Sequence, residues 1–247
     1  MKYILIALSF FFISSFAYAE TLRFATEATY PPFEYFDDNG ELQGFDIDIA
    51  RAICKELAVT CSITHQAFSS LIPSLQMGKF DALIAALGAT PERAKEVAFS
   101  DSYYTPSASF VSFKNRHYNL ADLKNKIVGV QGGSIFRDYL VHYYNNAMDI
   151  KFYASIQDAF LDLSVGRLDA VLADTPIANN YVQLDPSRFT IVEHPIEDKD
   201  YFGSGYAIAV KKSNTSLLQR INTALQTIKH NGVYDQLVKK YFGAKAL

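Results

Sequence analysis

The stretch VGRLDAVLAD, residues 165–174, decides how the rest of the chain is read. Gly166 reads as the stop of a helix. The run from Leu168 to Ala173 is apolar enough for a strand buried on both faces, as in a parallel sheet. That run ends on Asp174, and a charge at the end of a buried strand is costly unless something compensates it. Earlier in the chain MGKFDALIAA, residues 77–86, repeats the same order, with Ala86 where the carboxylate stands. Two copies of helix, glycine and buried strand predict two sheet-forming units, only one of which ends its strand in a charge.

Working outward, strand and helix patterns alternate. TLRFAT predicts a strand, and Tyr30-Pro31-Pro32 stops it. Asp38-Asn39-Gly40 is a tight-turn signal. DIDIARAICKEL places Ile47, Ala50, Ile53 and Leu57 at helical spacing. CSITHQ reads as a strand, Ser69 as the cap of the helix SLIPSLQM, and FDALIAAL as a buried strand. The second half repeats this order with KIVGVQ, SIFRDYLVHYY, KFYA, SIQDAFLDLSV and LDAVLA. YFGSGYAIAV reads as a glycine-broken strand, LLQRINTALQTIKHNG as an amphipathic helix, and residues 234–241 as a last helix. The fold class predicted is α/β, with two lobes, each a mostly parallel sheet flanked by helices. Lobe one is expected over residues 20–106 and 206–247, and lobe two over 107–205. Two extended connections near 105–113 and 199–207 would form a two-strand hinge.

Bulk properties narrow the function. The chain has 247 residues, 49% hydrophobic and 14% aromatic, enough for a large core. Net charge is −3 without a dense basic run, which argues against nucleic acid as a partner. The first 19 residues carry one cation, Lys2, then an apolar run, then Ala17-Tyr18-Ala19. This is a secretory leader expected to be cleaved after Ala19. In an exported chain Cys54 and Cys61 predict a structural disulfide. The five His residues lack metal-binding spacing, so neither metal nor cofactor is expected.

Three segments carry site chemistry. In ATPERAKEV, Thr90 and Pro91 suit the start of a helix, which puts the cation Arg93 at the unfavourable end of the helix dipole. Either Glu92 or Glu96 compensates it, or Arg93 and the helix N-terminus share an anion, for which the guanidinium offers a planar fork. In VGVQGGSIF, two glycines and Ser134 between strand and helix offer free N–H groups to an anion, or make a simple turn. Asp174 lies at the carboxyl end of its strand, where open α/β sheets bind ligands; it could instead cap the following helix. A fork with N–H groups for an anion, and a separate carboxylate for a cation, describe the zwitterionic head of an α-amino acid.

These segments resemble the periplasmic solute-binding proteins for polar amino acids that serve ABC importers, family 3, with the two-lobed type II fold. GFDIDIARAICKEL, FSSLIPSLQMGKFDALIAAL, TPERAKEVAFSDSYY, GRLDAVLAD, DKDYFGSGYAIAV and GVYDQLVKKYFG carry the likeness over the mature chain. ATEATYPPFE, CKELAVTC and VGVQGGS are most similar to arginine-binding and lysine/arginine/ornithine-binding members. The resemblance implies that Arg93 holds the ligand α-carboxylate with the backbone around Ser134 and Ile135, and that Asp174 takes the α-ammonium. It implies Glu27 for the far cationic end, Tyr30 and Phe68 as a sandwich for the aliphatic part, and Ala85, Ala86 and Gly88 as loop contacts. Relatives carry polar groups at those loop positions, so backbone atoms must serve here; Gln131 and Ile135 sit where relatives vary. Glu27 beside Tyr30-Pro31-Pro32-Phe33 independently suits a guanidinium, through paired hydrogen bonds and ring stacking, or is an exposed loop charge. The expected protein is a periplasmic monomer, not an enzyme, that binds L-arginine or a related basic amino acid and hands it to an inner-membrane permease. The alternatives are a cyclohexadienyl-dehydratase-like enzyme on the same fold, with Glu27 or Asp174 as general acid, or a secreted sensor or adhesin.

Overall fold

The computed structural model describes residues 20–116, 119–203 and 205–243; the expected leader, residues 1–19, lies outside the described residues. In chain order the first half holds β1 (Thr21–Thr26), β2 (Thr29–Tyr30), β3 (Glu34–Phe36), β4 (Leu42–Gln43), α1 (Phe45–Glu56), β5 (Thr60–His65), α2 (Leu71–Gln76), β6 (Ala82–Leu83) and β7 (Val97–Phe99). The chain then runs through β8 (Ala108–Phe113), β9 (Ile127–Gln131), α3 (Ile135–Tyr144), β10 (Asp149–Tyr153), α4 (Ile156–Ser164), β11 (Ala170–Asp174), α5 (Thr175–Leu184), β12 (Phe189–Ile196) and α6 (Lys199–Phe202). It closes with β13 (Ala209–Lys211), α7 (Thr215–His230) and α8 (Val233–Phe242).

Two five-stranded sheets result, ordered β5-β1-β6-β13-β7 and β10-β9-β11-β8-β12. They are wired alike. In each, the first three strands are parallel and the last two antiparallel to their neighbours. The fourth strand in each order, β13 or β8, is the first that the chain forms after arriving from the other sheet. β2, β3 and β4 form a small separate sheet at the side of the first.

The repeated motif that opens each buried strand does the same work twice. Asp81 Oδ2 accepts the N–H of Arg23 at 2.9 Å, and Asp169 Oδ2 accepts that of Ile127 at 3.0 Å. Each aspartate also holds a guanidinium, Arg23 at 2.8 Å and Arg116 at 2.6 Å. Gly78 and Gly166 both take φ near +80°, the left-handed conformation that lets a helix end without a Cβ penalty. Beyond the aspartates, Ala82 to Leu87 and Ala170 to Asp174 are all buried. Cys54 in α1 and Cys61 in β5 form a disulfide with an S–S distance of 2.00 Å, pinning helix to strand as expected.

Local readings differ in four places. Ser69 lies inside a 3-10 turn, Phe68–Ser70, and the residue before α2 is Ser70, whose hydroxyl donates to the Ala67 carbonyl. The predicted strand FDALIAAL is a regular ladder only at Ala82 and Leu83; past it Ile84 N–H still donates to the Ala25 carbonyl at 3.0 Å and Leu87 accepts from Ala207 N–H at 3.1 Å, with Ala86 between them at φ +42°. The helix predicted to open after Thr90 is a single 3-10 turn, Arg93–Lys95, with Thr90 Oγ1 accepting the Arg93 N–H at 3.2 Å. The segment 199–207, read as a hinge strand, begins as helix α6, which Asp198 caps through the N–H groups of Asp200 and Tyr201. Only its end is extended, where Tyr206 bridges Gly88 and Tyr104.

Candidate functional site

The carboxyl ends of β1, β6 and β9 converge on one small cavity between the two sheets. From the first sheet come Glu27, just after β1; Tyr30; Phe68; Ala85, Ala86 and Gly88 after β6; and Arg93. From the second come Gln131 at the end of β9, then Ser134, Ile135 and Phe136 where α3 begins. Ten of the eleven residues singled out from the sequence line this space. Asp174 does not; it sits behind the wall, and the hydroxyl of Tyr206, which does line it, donates to Asp174 Oδ2.

Arg93 spans the cleft. One guanidinium nitrogen donates to the Gly88 carbonyl at 2.8 Å, and the other to the Gly133 carbonyl of the second unit at 2.9 Å. Its carbon lies 5.5 Å from the Phe68 ring centroid. The acids beside it in sequence are committed elsewhere: Glu92 pairs with Lys95 at 2.7 Å, and Glu96 accepts from Gln76 at 3.0 Å. Burial lowers the Arg93 pKa to about 10, still fully cationic at neutral pH. Ser134 caps α3, accepting the Arg137 N–H at 3.1 Å. The first N–H groups of that helix, which have no intrahelical acceptor, thus open at the cavity wall. Gly88 is required for this approach: a Cβ there would stand 2.8 Å from Ile135 Cγ2 across the cleft.

The carboxyls occupy the opposite electrostatic role. Glu27 is 3% exposed and accepts from Gln131 Nε2 at 2.7 Å, a second link between the units. Burial raises its pKa to about 7, against the lowering effect of Gln131. Asp174 is fully buried; burial raises it to about 8, while the Tyr206 hydroxyl pulls it down. It precedes α5 but makes no helix-capping hydrogen bond, and its Oδ1 meets no donor. Nearby cationic charge would satisfy both acids, since each is held away from water with spare acceptor capacity.

Tyr206 and Phe136 were missed in the sequence. Tyr206 follows Gly205, which takes φ +94° and whose added Cβ would meet the Tyr104 carbonyl oxygen at 2.4 Å. A glycine pair just before an aromatic was the available sign of a close chain crossing. Among the described residues no cluster of His, Cys, Asp and Glu has metal-binding geometry, and no helix is long and apolar enough to cross a membrane.

Two similar sheets, wired alike, crossed twice by the chain and closing on a polar cleft, define the two-lobed class of ligand-binding proteins. The chain belongs to the bacterial extracellular solute-binding proteins, family 3, whose pattern matches residues 22–244. It is 39% identical, over 98% of both chains, to ABC transporter arginine-binding protein 1 of Escherichia coli K12. A Salmonella typhimurium periplasmic binding protein of high arginine specificity superposes with a TM-score of 0.86 at 42% identity, over 91% of this chain and 100% of that one. An ancestral arginine-binding protein bound to arginine superposes with a TM-score of 0.84 at 41% identity, over 90% and 98%.

Proposed function

We propose that this protein captures L-arginine, or a related basic amino acid, between its two lobes in the periplasm and delivers it to an ABC importer. The observation that carries the reading is a cavity lined at once by the cationic Arg93, the buried acid Glu27 and the rings of Tyr30 and Phe68. Arg93 and the first N–H groups of α3 take the α-carboxylate. Asp174, which lies behind Tyr206 in this structure, takes the α-ammonium once Tyr206 gives way to the ligand, and Glu27 takes the guanidinium while the rings flank the aliphatic stem. Lobe one is assigned residues 20–106 and 206–247 and lobe two residues 107–205, with the crossing segments as the hinge. Because Gln131 and Gly133 reach Glu27 and Arg93 across the cleft, the shell is complete only when the lobes meet. Ligand therefore stabilises the closed form. The arginine-binding relatives support binding rather than dehydratase chemistry.

The leader is removed after Ala19, so intact mass of the exported chain should place its N-terminus at Glu20. The mature protein is a monomer that docks on an inner-membrane permease. The central test is a thermal-shift screen of the twenty amino acids and ornithine on protein unfolded and refolded to strip carried-over ligand. Ligand at about a thousand times its Kd stabilises by about 4 kcal/mol. If arginine, lysine, ornithine and histidine all leave the transition unmoved, the basic-ligand reading fails.

A further inference from the structure

Behind the ligand cavity lies a carboxyl pair that the binding chemistry does not use. Glu34 stands on β3 and Asp46 in the first turn of α1, and they are 1% and 0% exposed. Asp46 Oδ2 accepts two donors, the backbone N–H of Ala86 at 2.7 Å and the hydroxyl of Tyr103 at 2.7 Å. The remaining oxygens, Asp46 Oδ1 and Glu34 Oε2, meet no N–H or hydroxyl donor. The fold sets the two side by side, because the Asp46 N–H donates to the carbonyl of Phe33, the residue before Glu34, at 2.9 Å. Two neighbouring carboxylates this deeply buried, with oxygens left unpartnered, cannot both stay ionised, so one of the pair is the acid form. Neither side chain has an ion pair among the described residues.

What the pair holds is the ligand loop. Ala86 lines the cavity and takes φ +42°, a conformation a residue with a Cβ adopts only when its surroundings impose it. The Asp46 bond to its N–H is that constraint. Tyr103, the other donor, lies on the stretch leading to the second sheet, and its N–H donates to the Tyr206 carbonyl at 2.9 Å. The same Tyr206 holds Asp174 through its hydroxyl. Asp46 thus ties the loop of one lobe to the segment that orients the acid of the other.

We propose that Glu34 and Asp46 share one proton and act as a positioning pair, fixing the Ala85–Gly88 loop and the Tyr103 crossing so that the two lobes present their ligand groups in register. This rests on the binding reading above. Burial and then the Asp46 charge push Glu34 well above the carboxylate range, while burial raises Asp46 to about 7. The titratable groups facing the pair are Tyr103 on Asp46 and, at longer range, Glu27 and Asp174 on Glu34, with Tyr30 beside them. When alkaline pH removes the shared proton, two buried carboxylates repel and the loop loosens.

The test compares arginine affinity by titration calorimetry for the exported chain and its E34Q, D46N and D46A variants, from about pH 6 to about pH 9.5. Glu27 and Asp174 titrate in all of them, so the ratio of wild type to E34Q isolates the pair. E34Q keeps a donor toward Asp46 that cannot ionise, so wild type should lose about tenfold against it across the range. D46A, which strands the Ala86 N–H and the Tyr103 hydroxyl, should bind about ten- to a hundredfold more weakly at every pH. D46N, whose amide oxygen still accepts both donors, should stay within about threefold of wild type at neutral pH. A pH-independent ratio for E34Q, or full affinity in D46A, overturns the proposal, and if D46A does not fold the E34Q profile alone decides. Carbon-13 titration of the two carboxyls tests the shared proton without ligand: near neutral pH one should be protonated, and both ionised below about pH 6 would overturn the pair. Failure of wild type to bind arginine, with the shared proton present, would instead count against the ligand assignment.

Discussion

The two lobes begin their central strands in the same way and end them differently. In both, a glycine in the left-handed region, then an aspartate clamping the neighbouring strand, launches a fully buried run. In lobe one that run leaves the regular ladder after Leu83, bends at Ala86 and reaches Arg93 through a loop. In lobe two it continues to Asp174 and passes directly into α5. The common part builds the scaffold, while the divergent ends bring Arg93 to the cavity and Asp174 to the back of its wall, behind Tyr206. An amino-acid head is itself asymmetric, so a repeat that stayed symmetric at its ends would offer it two like charges. The comparison teaches that the strand opening is architectural and the strand exit is chemical.

The sharpest way to break this comparison is to remove one exit at a time. Arg93→Ala and Asp174→Ala should each weaken arginine binding by about a hundredfold or more, the cost of leaving a buried ligand charge unpaired. Their effects should divide by ligand. Agmatine, which lacks the carboxylate, should be indifferent to Arg93→Ala, and 5-guanidinovalerate, which lacks the ammonium, indifferent to Asp174→Ala. Titration calorimetry with these three ligands checks it; equal losses for all of them in both variants would dissolve the division of labour.

Next in size is the approach of the lobes. Gly88→Ala puts a Cβ 2.8 Å from Ile135 Cγ2, so the lobes must part or the loop must shift. Overpacking of this kind costs about 1–3 kcal/mol, and affinity should fall by about five- to a hundredfold while the unliganded Tm moves little. Ile135→Ala in the same protein should restore much of the loss.

A smaller effect concerns pH. The folded pKa values of Glu27 and Asp174, about 7 and 8, lie above the ordinary 4.5 and 3.8. Between those limits the folded state holds protons that the unfolded state has lost, so unfolding free energy falls as pH rises. Unliganded stability should therefore decline from about pH 5 to about pH 8. A bound cation favours the ionised acids, so arginine should flatten that decline and release protons on binding. Denaturant midpoints at several pH values, and calorimetry in buffers of different ionisation enthalpy, measure both. A slope of opposite sign would show that these acids are not held protonated.

The smallest effect falls on the shared openings. Asp81→Asn and Asp169→Asn should each lower Tm by roughly 2–4 °C, the shift one lost hydrogen bond causes in a chain of this size, with arginine affinity unchanged. Asp81 has its pKa lowered chiefly by the Arg23 hydrogen bond, so its share of stability is present above the ordinary carboxylate pKa and disappears as pH falls below about 4. Loss of binding in either variant would place these aspartates in the site and end their equivalence.

Much of this was legible along the chain. Helical spacing in DIDIARAICKEL and the apolar runs after Asp81 and Asp169 gave the elements, because burial on one face or both leaves a periodic mark. Arg93 and Asp174 stood out as charges in places where local structure disfavours them. Tyr206 did not, since a tyrosine near glycines has an ordinary reading in any strand. Nor did Glu34 and Asp46 reveal that they face each other, because acids in turns and first helical turns are commonplace on a surface.

By itself the sequence determined the repeated α/β unit, the disulfide and the pair of opposite charges, all of which depend on neighbours in the chain. Only the tertiary structure decided that Arg93 reaches the Gly133 carbonyl, that Gln131 reaches Glu27, and that Asp46 grips both Ala86 and Tyr103. The reason is physical: burial periodicity is a local property, whereas a hydrogen bond between distant segments exists only after two sheets have packed to within a few ångströms. No pattern along a chain encodes that separation.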